Sequence, residues 1–443
     1  MDLYLARKPS RRRTAVKYVV PSMLSNLCIF LFTVIDGIFV GNGVGTDGLG
    51  AVNLDLPAET MIYAVFLVTS VGGSATAAIA FGYGDEKEAN KAFLNSLAVT
   101  LFIGVIFTVA GVFFTEEICR ALGASRTFLE PAADYLRWYS AFSIAVGLSA
   151  FLQAFCRNDR APGLVSFAVI TATLCNIFLD WLFIYPMKMG TAGAAIASGI
   201  AQTMACVILL PHFFSGNSKL RFSSYKLDMN LIRELAVRGL PECVAQLATP
   251  MVTLCLNLVL ARMVGDVAIN GFSIINYVSY LALALFYGTS EGLQPLFGRC
   301  YGRKSIGSLK YFRNLGLRIN VFGSLAVMVL LVATAQPVCR MFGAGAAVTA
   351  YVVSVMPLFC WGFIPMSINV MVATYFYSTS HSDYAMIISV LRSLIMDSLV
   401  ILIFPVIFGP GIIWYCFGIY EVFVMLVVLA LSRRSRKKKL RAA

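Results

Sequence analysis

Apolar stretches long enough to cross a bilayer recur along almost the whole chain, and they restrict it to one kind of architecture. A helix satisfies its own backbone polar groups, and about 20 apolar residues carry it across the hydrocarbon. On that basis the sequence predicts twelve transmembrane segments, near 15–40, 50–81, 92–114, 129–155, 162–185, 190–213, 236–261, 268–298, 312–335, 349–379, 384–408 and 411–432. Several are long enough to need tilt or a continuation beyond the bilayer. Composition agrees. Only 13% of the 443 residues are charged, against roughly a quarter in a soluble protein. The apolar run 18–40 is too long for a signal-peptide core and is expected to remain as the first span.

Lys and Arg set the orientation. The net charge of +13 is concentrated at the termini and in a few loops, which suits membrane topology and not a nucleic-acid partner. The N-terminal tail carries Arg7, Lys8, Arg11, Arg12, Arg13 and Lys17; the C-terminal tail carries Arg433, Arg434, Arg436, Lys437, Lys438, Lys439 and Arg441. Both termini are therefore expected in the cytoplasm, with an even number of spans. Lys219, Arg221, Lys226, Arg233 and Arg238 fall on the same side, as do Arg299, Arg303, Lys304, Lys310 and Arg313. The outer loops hold only Arg120, Arg126, Lys188, Arg262 and Arg340.

The second half echoes the first. Ile118-Cys119-Arg120-Ala121-Leu122-Gly123-Ala124 returns as Val338-Cys339-Arg340-Met341-Phe342-Gly343-Ala344, shifted by 220. Val44-Gly45 returns as Val264-Gly265, and Tyr83-Gly84 as Tyr301-Gly302. A shift spanning six segments keeps the orientation, so the halves form parallel repeats about an axis along the membrane normal. The expected organisation is all-α, with two pseudo-symmetric six-helix lobes at 1–214 and 235–432, a polar linker at 215–234 and a basic tail at 433–443. Two such bundles can rock about a central cavity, as in a secondary transporter.

Asp36 and Asp180 are the most informative residues. A carboxylate in hydrocarbon costs about 2.5–3.5 kcal/mol even on mild insertion scales, so it is rarely kept without a role. Segments one and five both run outward, and each acid lies about four residues, or roughly 6 Å, from the outer end. Asn176 precedes Asp180 by one turn on the same face, and Ser198 reaches a similar depth on segment six. Held together out of water, two carboxylates repel, which favours a proton or small cation such as Na⁺ between them. Glu291, Asp397, Glu421, Glu242, Asp55 and Glu59 are further embedded acids. By a shift of 217, Asp397 is taken as the counterpart of Asp180, and Glu242 is expected near a helix N-terminus. The eleven cysteines stand singly, with no CxxC and no His/Cys cluster, so neither a disulfide framework nor a zinc site is indicated.

These residues resemble the multidrug and toxic compound extrusion (MATE) family, in its bacterial DinF-like and staphylococcal-type branches. The resemblance spans nearly the whole chain. It rests on Ile35-Asp36-Gly37-Ile38-Phe39-Val40-Gly41, Val71-Gly72-Gly73-Ser74, Phe81-Gly82-Tyr83-Gly84-Asp85, Arg157-Asn158-Asp159, Asn176-Ile177-Phe178-Leu179-Asp180 and Gly193-Ala194-Ala195-Ile196-Ala197-Ser198. Gly292-Leu293-Gln294-Pro295, Trp414 and Glu421 resemble second-lobe motifs. The resemblance implies cation-coupled (H⁺ or Na⁺) export of amphipathic, often cationic drugs by a monomer in the bacterial inner membrane. It implies that Asp36, Asn176, Asp180 and Ser198 form the first-lobe ion site, with Na⁺ at the first three a possibility, and that Pro21 is a bending point. Departures are Phe32-Thr33 before Asp36, Glu291 where Gln is common and Arg160 where Gly is common. Partners implied are small organic substrates and membrane lipids; no cofactor beyond the coupling ion is expected.

The rival on the same fold is a flippase for lipid-linked or polymeric sugars, which usually has more helices and a basic cavity. A major-facilitator transporter would carry an Arg-rich loop after segment two, which 84–91 lacks. An enzyme would need a nucleophile–base or metal constellation. The two histidines, His212 and His381, are far apart, and no HExxH or GxSxG occurs.

Overall fold

The computed structural model describes residues 10–44, 46–122, 126–216, 218–222, 226–342 and 344–441. Arg7, Lys8, Gly45, Gly123, Ala124 and Gly343 lie outside them, as do the side chains of Thr33, Gly37 and 435–441. The first half contains α1 (Arg11–Gly43), α2 (Thr46–Tyr83), α3 (Glu86–Phe113), α4 (Thr115–Ala121), α5 (Arg126–Ala141), α6 (Ser143–Asn158), α7 (Pro162–Ile184) and α8 (Gly190–Leu209). The second contains α9 (Met229–Gln246), α10 (Ala248–Met263), α11 (Asp266–Gly302), α12 (Ile306–Ala333), α13 (Ala335–Met341), α14 (Ala346–Cys360), α15 (Phe363–Tyr377), α16 (Ser382–Val390), α17 (Met396–Phe408) and α18 (Ile413–Arg441).

Local chemistry sets the helix starts. Ser10 Oγ accepts the Arg13 N–H at 3.2 Å, Asp85 accepts that of Glu88 at 2.9 Å, and Asp228 accepts that of Asn230 at 2.9 Å. These side chains satisfy donors that the first helical turn leaves unpaired. Pro162 opens α7, where its missing N–H costs nothing.

Ten helical stretches among the described residues are long and apolar enough to cross a membrane, and two bent pairs bring the number to twelve. The bent pairs are the predicted fourth and tenth segments. The fourth breaks between α5 and α6 by 50°, the tenth between α14 and α15 by 42°. The eleventh is α16 and α17 joined by a π-turn at Leu391–Ile395. Segment seven starts earlier than expected, with α9 opening at Met229 inside the stretch read as linker. Glu242 is consequently more than three turns into α9, not at a helix N-terminus.

The duplication is visible element by element. The short helices α4 and α13 are offset by 220 at both ends, as are α3 and α12. Arg160 and Ser380, each at positive φ (69° and 58°), precede α7 and α16 at the same offset. Each lobe has its own core. Phe151, Phe155 and Phe213 cluster around Phe93 in the first, and Phe359 stacks on Phe417 (4.6 Å between ring centroids) in the second.

The lobes meet crosswise, α1 on α11 and α2 on α9, with α2 and α11 against each other on the symmetry axis. Glycines allow the approach. A Cβ on Gly72 would lie 2.0 Å from the Leu235 carbonyl oxygen of α9, and one on Gly292 would lie 2.8 Å from that of Tyr18 in α1. These two glycines are repeat equivalents, and both contacts fall toward the end of the bundle that carries the termini.

Candidate functional site

Asp36 lies two turns before the end of α1, and Gly43 at that end packs against Ile184 at the end of α7. This brings Asp36 to Asp180, and their carboxyls are in hydrogen-bonding contact. Asp180 is fully buried. The Asn176 amide satisfies both of its neighbours in one orientation: Nδ2 donates to Asp180 Oδ2 at 2.8 Å, and Oδ1 accepts the Ser198 backbone N–H at 3.1 Å. The Ser198 hydroxyl stands 3.3 Å from the same amide. All four residues expected in the first-lobe site are thus together. Asp36 Oδ1 and Asp180 Oδ1 are buried and have no hydrogen-bond partner. Two buried carboxylate oxygens without partners are costly unless a proton or cation visits them.

A third acid joins the pair. Glu59 of α2 is hydrogen-bonded by Tyr135 of α5 and lies within electrostatic reach of Asp36. Asp55, one turn earlier, takes the Cys119 thiol at 3.6 Å. No Lys or Arg faces this cluster among the groups that act on it. Below it opens a cavity of about 140 Å³ lined by Ile29, Phe32, Tyr63, Gln153, Asn176 and Gln202 among others. Pro21 sits inside α1, and its carbonyl accepts Ser25 Oγ at 2.9 Å and Ser166 Oγ of α7 at 2.5 Å. Those hydroxyls hold the proline turn of α1 to the helix that carries Asp180.

The second lobe differs in chemistry. Arg392, in the π-turn, is buried and donates Nε–H to Glu421 Oε1 at 2.7 Å; Asn369 donates to Glu421 Oε2 at 2.7 Å. A guanidinium therefore neutralises the carboxylate there. Asp397 is buried, accepts the Ser398 N–H through Oδ1 at 2.8 Å, and leaves Oδ2 without a partner. Its assignment as counterpart of Asp180 needs correction. The helix starts are registered at 220, and the π-turn inserts one further residue, so Asp397 falls at the level of Asn176 and Asp180 is matched by an apolar residue. The structure does not bring Asp397 to Glu291, which faces the space between the lobes.

Sequence reading missed Arg157 and Asn26, which both contact Glu291, and Tyr135 beside Glu59. Arg157 occurs in the Arg157-Asn158-Asp159 motif, which by itself names no partner. Its place in the last turn of α6, short of the loop, was the available signal.

A model of the MatE family matches the chain twice, over residues 21–182 and 241–402. The second match begins and ends 220 residues after the first. The chain is 22% identical over 416 residues to the multidrug export protein MepA of Staphylococcus saprophyticus subsp. saprophyticus, covering 93% of this chain and 92% of that one. Its fold is similar to that of a multidrug resistance MATE family transporter of the MOP superfamily in an outward-facing conformation, with TM-score 0.91, 21% identity and 98% and 97% of the two chains covered. It is also similar to a MOP superfamily transporter from Pyrococcus furiosus Vc1, described as having a binding pocket of reverse polarity that suggests a different function, with TM-score 0.89, 21% identity and 96% of each chain covered.

Proposed function

We propose that this chain, which belongs to the MatE family, exports amphipathic, often cationic organic compounds in exchange for H⁺ or Na⁺. The observation that carries this reading is the Asp36–Asp180 contact, with Asn176 and Ser198 around it and an orphaned oxygen on each acid. A proton bridges two carboxyls directly. Na⁺ would instead take oxygens from Asp36, Asp180 and, once its amide turns over, Asn176, a hard donor set that suits it. Among the described residues no group of three or more His, Cys, Asp or Glu is arranged to hold a metal ion, so a transition metal has no such cluster to bind.

With the termini in the cytoplasm, the acids lie near the outer surface and the glycine contacts close the inner end. An ion arriving from outside neutralises the pair, relieves its repulsion and lets α1 settle against α7, shrinking the cavity below. Substrate leaves, the lobes exchange their closed and open ends, and the ion is released inward. One charge crossing 100 mV supplies about 2.3 kcal/mol, enough for a useful concentration gradient. The protein is expected to act as a monomer.

Transport into proteoliposomes under separately imposed H⁺ and Na⁺ gradients tests the reading. One gradient should drive substrate movement, and Asp36→Asn should abolish that drive without reducing insertion. Full ion-driven export by Asp36→Asn would overturn it.

A further inference from the structure

The space between the lobes has a carboxylate of its own, and the cation that holds it belongs to the protein. Glu291 of α11 meets Arg157 Nη1 of α6 at 2.9 Å and accepts Asn26 Nδ2–H of α1 at 3.0 Å. Both contacts fall on Oε2. Oε1 accepts nothing from the described residues, and the Glu291 side chain is 35% exposed where that of Arg157 is 10% exposed. Arg157 is held lightly, since the pair has one prong where a guanidinium can offer two. Its buried Nε has no partner.

The surroundings favour a cation. Glu242 of α9 lies within electrostatic reach of Glu291, as do Tyr63 and Tyr377, whose hydroxyl bonds Glu242. Arg392, the other guanidinium within reach of Glu242, is committed to Glu421. Tyr63, 38% exposed, lies within electrostatic reach of Glu291 and also lines the first-lobe cavity. Asn26 is ten residues before Asp36 on α1, so this place lies about 15 Å from the Asp36–Asp180 pair and is separate from it.

We propose that Glu291 recognises the positive charge of organic-cation substrates, and that Arg157 is a built-in surrogate displaced when such a cation binds. The inference rests on the export reading and names the charge class its substrates would carry at this place. Arg157 and Glu291 belong to different lobes. Displacing one from the other removes a tie between the lobes at the moment a cation is captured, which a neutral amphiphile cannot do.

Equilibrium binding to the full chain in lipid nanodiscs tests this, with tetraphenylphosphonium as a permanent cation and triphenylphosphine oxide as a neutral comparator. Glu291→Gln should weaken binding of the cation about tenfold, and Arg157→Gln should tighten it about tenfold by removing the competitor. The neutral probe should respond to neither. Tighter binding on loss of Arg157 is an outcome that a purely structural ion pair does not produce. Unchanged or weaker cation binding by Arg157→Gln overturns the proposal, as does unchanged binding by Glu291→Gln, which decides alone if Arg157→Gln does not fold. Wild-type protein that binds neither probe would bring down the export reading itself, a result distinct from wild-type binding that the two variants leave unaltered.

Discussion

Gly82 of α2 and Gly302 of α11 stand against each other on the symmetry axis; the 220-residue offset of the helices makes Gly82, and not the sequence-matched Gly84, the repeat equivalent of Gly302. A Cβ on Gly302 would lie 2.8 Å from Gly82 Cα and 2.2 Å from the Ile79 carbonyl oxygen. Both neighbours are backbone, so a larger residue cannot be absorbed by a rotamer change. Gly302→Val should hold the lobes apart at this end and lower transport about 5- to 100-fold, in line with an overpacking cost of about 1–3 kcal/mol. Spin labels at the exposed positions Tyr83 and Arg303 should report a longer distance. Gly163→Ala, where a Cβ meets nothing within 4 Å, is the matched control and should leave both measurements unchanged.

Asn176 and Ser198 should differ sharply as targets. The amide of Asn176 is the donor to Asp180, whereas Ser198 contributes its backbone N–H to that amide. Asn176→Leu strands a buried carboxylate oxygen, a loss of about 1–3 kcal/mol, and should change coupling-ion affinity about 10- to 100-fold, downward if the ion is Na⁺ and upward if it is H⁺. Ser198→Ala keeps the backbone donor and should change affinity less than about threefold. Ion titration followed by tryptophan fluorescence, with Trp181 next to Asp180, reads both.

The Arg392–Glu421 pair gives a stability prediction. Arg392→Met leaves a buried carboxylate with Asn369 as its remaining side-chain donor. Breaking such a pair on one side typically costs about 3–5 kcal/mol. Thermal unfolding followed by a thiol-reactive dye, which reports the eleven cysteines, should show a clear loss. Arg392→Met combined with Glu421→Leu should recover most of it, because removing both charges leaves none uncompensated.

Tyr135 supplies a milder test of the third acid. Tyr135→Phe removes the hydroxyl that Glu59 accepts and should cost about 1 kcal/mol or somewhat more at that group. Ion-driven transport should fall about five- to tenfold, with insertion unchanged. A wild-type rate would separate Glu59 from coupling.

The first-lobe site was legible because a membrane fixes depth and a helix is a ruler. Asp36 and Asp180 could be placed at one level by counting from segment ends, and Asn176 followed from one helical turn. Rotation about the helix axis was not legible, since lipid and protein interior are equally apolar and no charged face marks the buried side. Arg157 and Glu291 therefore could not be paired from a sequence in which 133 residues separate them. The bend at Phe142 has no proline or glycine beside it to signal it. The π-turn shifted the register by one residue, which is why counting alone misassigned Asp397.

The segment between the lobes is pinned rather than slack. Its backbone N–H groups at Lys219, Arg221 and Asp228 donate to Asp159, Asn90 and Asn95 of the first lobe, and the buried Leu220 joins that lobe's core. A connector fastened along its described length stores no spare reach. Fastening at Lys219, Arg221 and Asp228 shortens the free chain between the lobes, and the second lobe's first helix begins at Met229, where the last fastening ends. The molecule has the mechanics of a pin joint, in which a small displacement at one face of α9 is delivered to the far end of the bundle as rotation.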